Sequence, residues 1–382
     1  MAIVGGETLK ILLTSAFWRM AIFWPMALVY SYILLFIGDT ITYFAPLPVS
    51  PPSGGFSSDE SLQKGKLPVC IVTGATSGLG AEASKVLAGK GFFVVLVGRS
   101  NGLLSETMQE IKRHNNEAKL KAFAVDISSI KSIIQFKSSL LEWLSESGMD
   151  PSIQLLINNA GILARTSRTT ADGYDQMMET NYIGHFVLTN LLWPLLIKCN
   201  APSRIVNVTS FTHRCVTKSP VLTAHNLRFC MSGFENYPFS HTYEFTKFWL
   251  LLFSYELHRK ICLMNYYPKV SILAADPGAV ETNIMREIPK PISKLAIAYL
   301  KQTRLLKTPQ TGVSSIIDAA FAPPEISGKY FFGGKGRMIQ SSALSYDSKL
   351  SKDLWDCSMV MFHESMARLK YSIDMDGAER LF

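Results

Sequence analysis

Residues 67–382 of this 382-residue chain alternate between two kinds of segment, and that alternation limits the fold more than any other feature. Short apolar runs, mostly rich in β-branched residues, fall at Val69–Val72, Phe92–Val97, Ala122–Val125, Ile153–Ile157, Ile205–Val208 and Val270–Ala274. Nearly continuous apolar runs of this length mark strands covered on both faces. Helix-compatible stretches separate them, at Ala81–Gly89, Leu103–Arg113, Ile130–Ser145 and Tyr174–Leu196. Strands alternating with helices pair in parallel through right-handed crossovers, so the expected fold is α/β, a doubly wound parallel sheet in a single domain. Such a sheet binds ligands beyond the carboxyl ends of its strands. The chemically distinctive strings of this sequence fall mostly at those ends.

Directly after the first strand comes Thr73-Gly74-Ala75-Thr76-Ser77-Gly78-Leu79-Gly80, which opens a helix. Glycine removes the Cβ atoms that would keep a pyrophosphate from the backbone, and the helix amino-terminus offers unpaired N–H groups. The spacing is not the G-x-G-x-x-G of the ordinary dinucleotide fold. The second strand ends at Arg99-Ser100, where an enzyme for NAD usually carries an acidic residue for the ribose 2′-hydroxyl. Arg99 instead offers a fork of donors suited to a 2′-phosphate, which points to NADP(H). Asp126 follows the third strand, and Asn158-Asn159-Ala160-Gly161 follows the fourth. An aspartate there also suits a helix N-cap, and an Asn/Gly turn needs no ligand. Tyr243 and Lys247 stand four residues apart, hence on one face of a helix. A nearby positive charge favours phenolate and brings the tyrosine, ordinarily near pKa ~10, toward general acid/base strength. Ser210 closes the fifth strand and Asn181 lies in the helix after the fourth. Asp276-Pro277-Gly278-Ala279-Val280-Glu281-Thr282 follows the sixth.

In this order, the strings resemble the short-chain dehydrogenase/reductase superfamily over roughly Lys66 to Phe362. Asn159-Ala160-Gly161-Ile162-Leu163, Arg204–Ser210, Ser327–Phe331 and Leu354-Trp355 look like its retinol dehydrogenase-like branch. The resemblance implies a Rossmann-type fold and an NADP(H)-dependent alcohol–carbonyl oxidoreductase acting on a lipophilic substrate such as a retinoid, sterol or other lipid. It further implies that Ser210 orients the carbonyl oxygen, Tyr243 exchanges the proton, Lys247 holds the nicotinamide ribose and Asn181 keeps a relay water. Gly74, Thr76, Ser77, Gly78, Leu79 and Gly80 would cradle the cofactor. Arg99, Ser100, Asp126, Asn159, Ala160 and Gly161 would hold its adenosine side, and Pro277, Gly278, Val280 and Thr282 its nicotinamide side. Two alternatives share the scaffold: a plastid-type reductase of a pigment precursor, and a non-catalytic NADP(H)-sensing subunit of a membrane complex. The intact Asn181–Ser210–Tyr243–Lys247 set argues against the sensor, which needs no proton donor.

The amino-terminal region stands apart. Met20–Ile37 is an uncharged apolar run of 18 residues, with Trp18, Trp24, Tyr30 and Tyr32 as interfacial aromatics. It reads as a retained membrane anchor within residues 1–45, too long for a cleaved signal peptide. Pro25 predicts a kink, which leaves a re-entrant or interfacial segment as the alternative. Lys10 and Arg19 precede the run and Asp39 follows it, which favours a cytosolic amino-terminus, with a monotopic arrangement as the other option. The expected location is an endoplasmic reticulum membrane or a plastid envelope, with membrane lipid as a partner. Residues 46–66 read as a Pro/Gly/Ser linker, and 67–382 as the catalytic domain. The net charge of +8 comes from scattered basic residues with no Lys/Arg-rich block, so nucleic acid is not an expected partner. Six cysteines without a C-x-x-C pair predict neither a disulfide framework nor a metal site. Thirty-two residues, Phe211–Thr242, separate Ser210 from Tyr243 beside the substrate mouth. Glu281–Leu306 reads as a substrate lid, made apolar by Ile284, Ile288, Ile292, Leu295, Ile297 and Leu300.

Overall fold

A computed structural model describes residues 6–44, 67–218 and 237–379. The 46–66 linker and residues 219–236 of the insertion lie outside the described residues. Two helices come first, α1 (Gly6–Leu12) and α2 (Ser15–Phe44). The alternation follows as β1 (Val69–Thr73), α3 (Gly78–Gly89), β2 (Phe93–Gly98), α4 (Asn101–His114), β3 (Leu120–Ala124), α5 (Ile130–Glu146) and β4 (Leu155–Asn158). A π-helical turn (Glu179–Ile183) then leads into α6 (Gly184–Ile197), β5 (Ser203–Val208), α7 (Phe239–Leu263) and β6 (Val270–Asp276). The chain finishes with β7 (Ala279–Val280), α8 (Lys290–Gln302), β8 (Leu306–Lys307), α9 (Ser314–Phe321), β9 (Lys329–Phe332) and α10 (Ser348–Glu379).

The main sheet has seven strands in the order β3-β2-β1-β4-β5-β6-β9, all parallel. This is the doubly wound, Rossmann-like architecture that the alternation predicts. Every residue of β1, β4, β5 and β6 is buried, as continuous Val/Ile/Leu runs require when helices cover both faces. β3 departs from the expectation. It begins two residues earlier than Ala122 and is only partly buried, because it sits at the sheet edge with a single neighbour. The seventh strand, β9, was not foreseen as a strand; its Tyr330, Phe331 and Phe332 are buried against β6. One core layer lies beneath α5, α6, α7 and α10, the other beneath α3, α4 and α9.

At the amino ends of the strands, the fully buried Arg204 ties β5 to its neighbours. Its guanidinium donates to Ser271 Oγ (2.9 Å) and to the carbonyls of Ala320 (2.9 Å), Ala322 and Pro323 (3.1 Å) at the end of α9. A buried charge persists when such donors are satisfied. The opposite, carboxyl ends of the strands are left to the site.

α2 runs as one continuous helix through Pro25. Ser15–Gly38 is long and apolar enough to cross a membrane. It nevertheless lays one stripe on the sheet domain, with Ala16, Phe17, Met20, Ala27, Leu28, Ser31 and Leu35 buried at helical spacing.

Candidate active site

The cleft opens where the strand order reverses, because β1 leads outward to β2 while its other neighbour β4 leads to β5. Thr73, the last residue of β1, laces the two sides together. Its hydroxyl accepts from the Asn159 N–H (2.9 Å) and the Ala160 N–H (3.0 Å) and meets His185 Nε2 at 3.1 Å. The Asn159 amide donates back to the Thr73 carbonyl (2.8 Å). Burial pushes His185 down to about 3, so it serves this network as a neutral imidazole.

Two glycines make the turn feasible. Gly74 has a φ of +67°, and a Cβ there would stand 2.9 Å from the Ala160 Cα. A Cβ on Gly80 would collide with the Gly74 carbonyl and with Asn159 Nδ2. Gly80 therefore packs α3 under the turn and does not line the cavity. Ser77 precedes α3 in extended conformation and makes no side-chain cap bond, so the first N–H groups of the helix face the cleft uncapped.

A cavity of about 230 Å³ follows the carboxyl ends of the sheet. Gly74, Thr76, Ser77, Gly78 and Leu79 line it beside the turn; Arg99, Asp126, Asn159, Ala160 and Gly161 line it beyond β2, β3 and β4. Arg99 is exposed. Ser100 lies outside the lining and caps α4, accepting weakly from the Leu103 N–H (3.4 Å). A serine before a helix satisfies an orphan N–H in this way. Asp126 is not the N-cap of α5, which is Ser129. One of its oxygens accepts from the Ser128 N–H (2.9 Å) and hydroxyl (2.7 Å).

On α7, Tyr243 and Lys247 sit one turn apart and both line the cavity, with Ser210 after β5. The Ser210 hydroxyl lies on the same cavity as the Tyr243 phenol and lowers its proton affinity. Lys247 Nζ donates to the Val208 carbonyl (2.9 Å) and lies 5.9 Å from the Tyr243 ring centre. Asn181 lies behind the lining, in the π-helical turn, a distortion that often marks functional sites. Its amide oxygen accepts from the Ile162 N–H (2.8 Å), and its nitrogen donates to the Ile162 carbonyl (2.9 Å) and Thr246 Oγ1 (3.1 Å). A Cβ on Gly161 would touch both Asn181 Oδ1 and Lys247 Nζ at 3.4 Å, so these three meet at one point.

The electrostatics differ from the simple expectation. Burial raises the Tyr243 phenol above its ordinary value, Asp276 adds to the rise, and the Ser210 bond opposes it. Burial also pushes Lys247 down to about 8. Desolvation therefore dominates the proton affinity of the phenol. Asp276, fully buried, accepts from the Tyr330 hydroxyl (2.5 Å) and the Gly278 N–H (2.7 Å), which shapes the turn after β6.

Pro277, Gly278, Val280 and Thr282 close the far wall. The Thr282 methyl comes within 3.0 Å of a Cβ built on Gly78, so lid and glycine turn touch. Ile284, expected in the lid, lines the cavity; Ile162, Thr180, Thr209 and Arg286 also line it and were missed. Thr180, Ile162 and Thr209 adjoin recognised motifs and were within reach; the exposed Arg286 sits in the lid with no motif around it.

The substrate side holds what no motif announced. α2 passes beside Tyr243, with the Trp24 and Tyr243 ring centres 5.3 Å apart. Trp24 Nε1 and Arg19 Nε donate to the two oxygens of the buried Glu244, each at 2.7 Å. Farther along, Arg214 Nε donates to Ser31 Oγ (2.9 Å), and Tyr32 stands edge-on to Phe332.

A phenol, a hydroxyl and an ammonium gathered over a glycine-lined cradle suit proton exchange beside a bound dinucleotide. Comparison with known proteins agrees. The profile described as short chain dehydrogenase matches residues 68–220, from β1 through β5. A polyprenol dehydrogenase of Danio rerio is 34% identical, over 78% of this chain and 87% of that protein. Retinol dehydrogenase 14 of Mus musculus is 30% identical, over 79% of this chain and 87% of its own. Among solved structures, an uncharacterized protein from Mycobacterium paratuberculosis superposes with a TM-score of 0.58 at 24% identity, covering 78% of this chain and 94% of that one. That last likeness concerns the fold alone. Relatedness across nearly the whole length of two dehydrogenases goes further: the chain belongs to the short-chain dehydrogenase family and is an oxidoreductase that works with a nicotinamide cofactor.

Proposed function

We propose that this protein interconverts an alcohol and a carbonyl on a lipophilic substrate, using NADP(H), at a membrane surface. The observation that carries the reading is the convergence of Ser210, Tyr243 and Lys247 on the cavity that also contains the glycine turn. The cradle lined by Gly74, Thr76, Ser77 and Gly78, beside the uncapped N–H groups that open α3, fits a dinucleotide pyrophosphate. Bound there, the nicotinamide supplies or accepts the hydride. Ser210 orients the carbonyl oxygen by hydrogen bonding. Tyr243 gives that oxygen its proton during reduction and takes it back during oxidation. Lys247 would hold the nicotinamide ribose, and its lowered proton affinity suits its ammonium to release a proton toward the phenol. Asn181 keeps the Ile162 loop and α7 in register around these groups.

NADP(H) is favoured over NAD(H) by Arg99, exposed at the cavity rim where an acidic residue would repel a 2′-phosphate. The lipophilic substrate is supported by the relatives that act on polyprenol and retinol, and by the apolar lid. Membrane association rests on the outer face of α2. Ile22, Phe23, Met26, Val29, Ile33 and Phe36 are all exposed, where a helix on a water-soluble domain would be polar.

Replacing Tyr243 with Phe tests the core of this reading. The variant should lose about 10²- to 10⁴-fold in kcat toward lipophilic aldehydes with NADPH. Its NADPH dissociation constant, read by fluorescence, should stay near that of the wild type. Turnover at the wild-type rate would refute the assignment.

A further inference from the structure

Glu244 follows the tyrosine in sequence and is fully buried, yet both groups that satisfy its carboxylate come from more than 200 residues earlier. Burial raises its proton affinity, and the Trp24 and Arg19 bonds oppose that rise. A buried carboxylate is costly unless paired and hydrogen-bonded, so α2 is held to the catalytic helix by a specific latch and not by apolar contact alone. A bare anchor needs no such latch. The latch also fixes the ring of Trp24 against the ring of Tyr243. Around that contact, Phe17 and Met20 of α2 pack with Ile162, Met177 and Ile288. The apolar cluster thus joins the membrane helix, the loop after β4 and the lid on the substrate side of the phenol.

We propose that α2 is a wall of the substrate site. Trp24 is a positioning residue that lines the approach to Tyr243 and guides the hydrocarbon chain of a long isoprenoid or acyl alcohol or aldehyde. Arg19 and Glu244 hold that indole in place. The inference rests on the reading of Tyr243 as the proton donor. With the outer face of α2 apolar and its inner face on the site, a chain leaves lipid and reaches the phenol along one helix, without crossing water.

The test uses the full chain in phosphatidylcholine nanodiscs, with NADPH and either a C20 isoprenoid aldehyde or hexanal. Trp24→Ala should raise KM for the C20 aldehyde about tenfold, a loss of about 1.4 kcal/mol of binding, and change kcat by less than about threefold. The rise for hexanal should be clearly smaller. Trp24→Phe, which keeps a ring, should recover most of the KM. Glu244→Gln, which keeps an acceptor for the indole but removes the ion pair, should raise the C20 KM about threefold and serves if Trp24→Ala does not fold. A C20 KM equal to wild type in a folded variant would overturn the inference. So would equal rises for both aldehydes, which mark a purely structural role. Tyr243→Phe runs in parallel: its loss of turnover with both aldehydes alongside unchanged Trp24 kinetics sinks only the role of α2. Persistent turnover in Tyr243→Phe sinks the catalytic reading itself.

Discussion

On the cofactor side of the cleft, the surface is largely backbone: a glycine turn, uncapped N–H groups at the start of α3, and a loop laced to it through Thr73. Across the cleft, the substrate side is made of side chains from α2, α7, the loop after β4 and the lid, none adjacent in sequence. The first wall is local, so its chemistry is spelled out in one short string and tolerates few alternatives. The second wall depends on distant segments meeting, and its Arg19–Glu244 ion pair spans a separation of 225 residues. A backbone wall recognises what every dinucleotide shares; a side-chain wall is free to differ with the substrate.

The most severe way to break this contrast is to add atoms to the backbone wall. Gly80→Val places carbons where the Gly74 carbonyl and Asn159 amide now lie. Overpacking typically costs about 1–3 kcal/mol, so NADPH should bind about ten- to a hundredfold more weakly in titration calorimetry. Wild-type affinity in that variant would mean that the turn does not hold the cofactor. Arg99→Asp is gentler, since it alters one side chain at the rim of the same wall. Losing a charge-assisted bond worth about 1.5–3 kcal/mol should shift the NADPH-to-NADH ratio of kcat/KM by about ten- to a hundredfold toward NADH. An unchanged ratio would remove the preference for the phosphorylated cofactor.

The smallest effect concerns the support beneath both walls. Burial pushes the Glu179 carboxyl, in the π-helical turn, up to about 9. An acid with a raised native pKa keeps a proton that the unfolded chain has already lost, so native stability falls as pH rises from about 4.5 to about 9. Glu179→Gln cannot ionise and should escape that fall. Its Tm relative to wild type should climb by several degrees between pH 5 and pH 9 in differential scanning calorimetry. A constant difference would show that the carboxyl ionises alike in the folded and unfolded chain, so that burial does not hold its proton.

Much of the cofactor wall was legible because its signals are short-range. Gly74, Gly78 and Gly80 carry the turn in their own backbone geometry, and the four-residue step from Tyr243 to Lys247 guarantees one helical face. Ser100 was harder to read, because a serine before a helix has two local uses, and in the structure it caps α4. The rise in the proton affinity of Tyr243 was not legible, because desolvation is a property of the folded surroundings, which no spacing reports. For α2 the difficulty was different: its buried and exposed faces are equally apolar, so the pattern that distinguishes an inner face from an outer one is missing.

By itself, the sequence determined the alternation of buried strands and helices, the parallel sheet that follows from it, and the string that makes a dinucleotide cradle. These rest on steric rules and periodicities that act over a few residues. Only the tertiary structure decided that β9 completes the sheet, that Asn181 is bound to the Ile162 backbone, and that α2 lies against Tyr243. Each depends on groups far apart in the chain, and which of them meet is settled by packing and by the need to satisfy every buried charge.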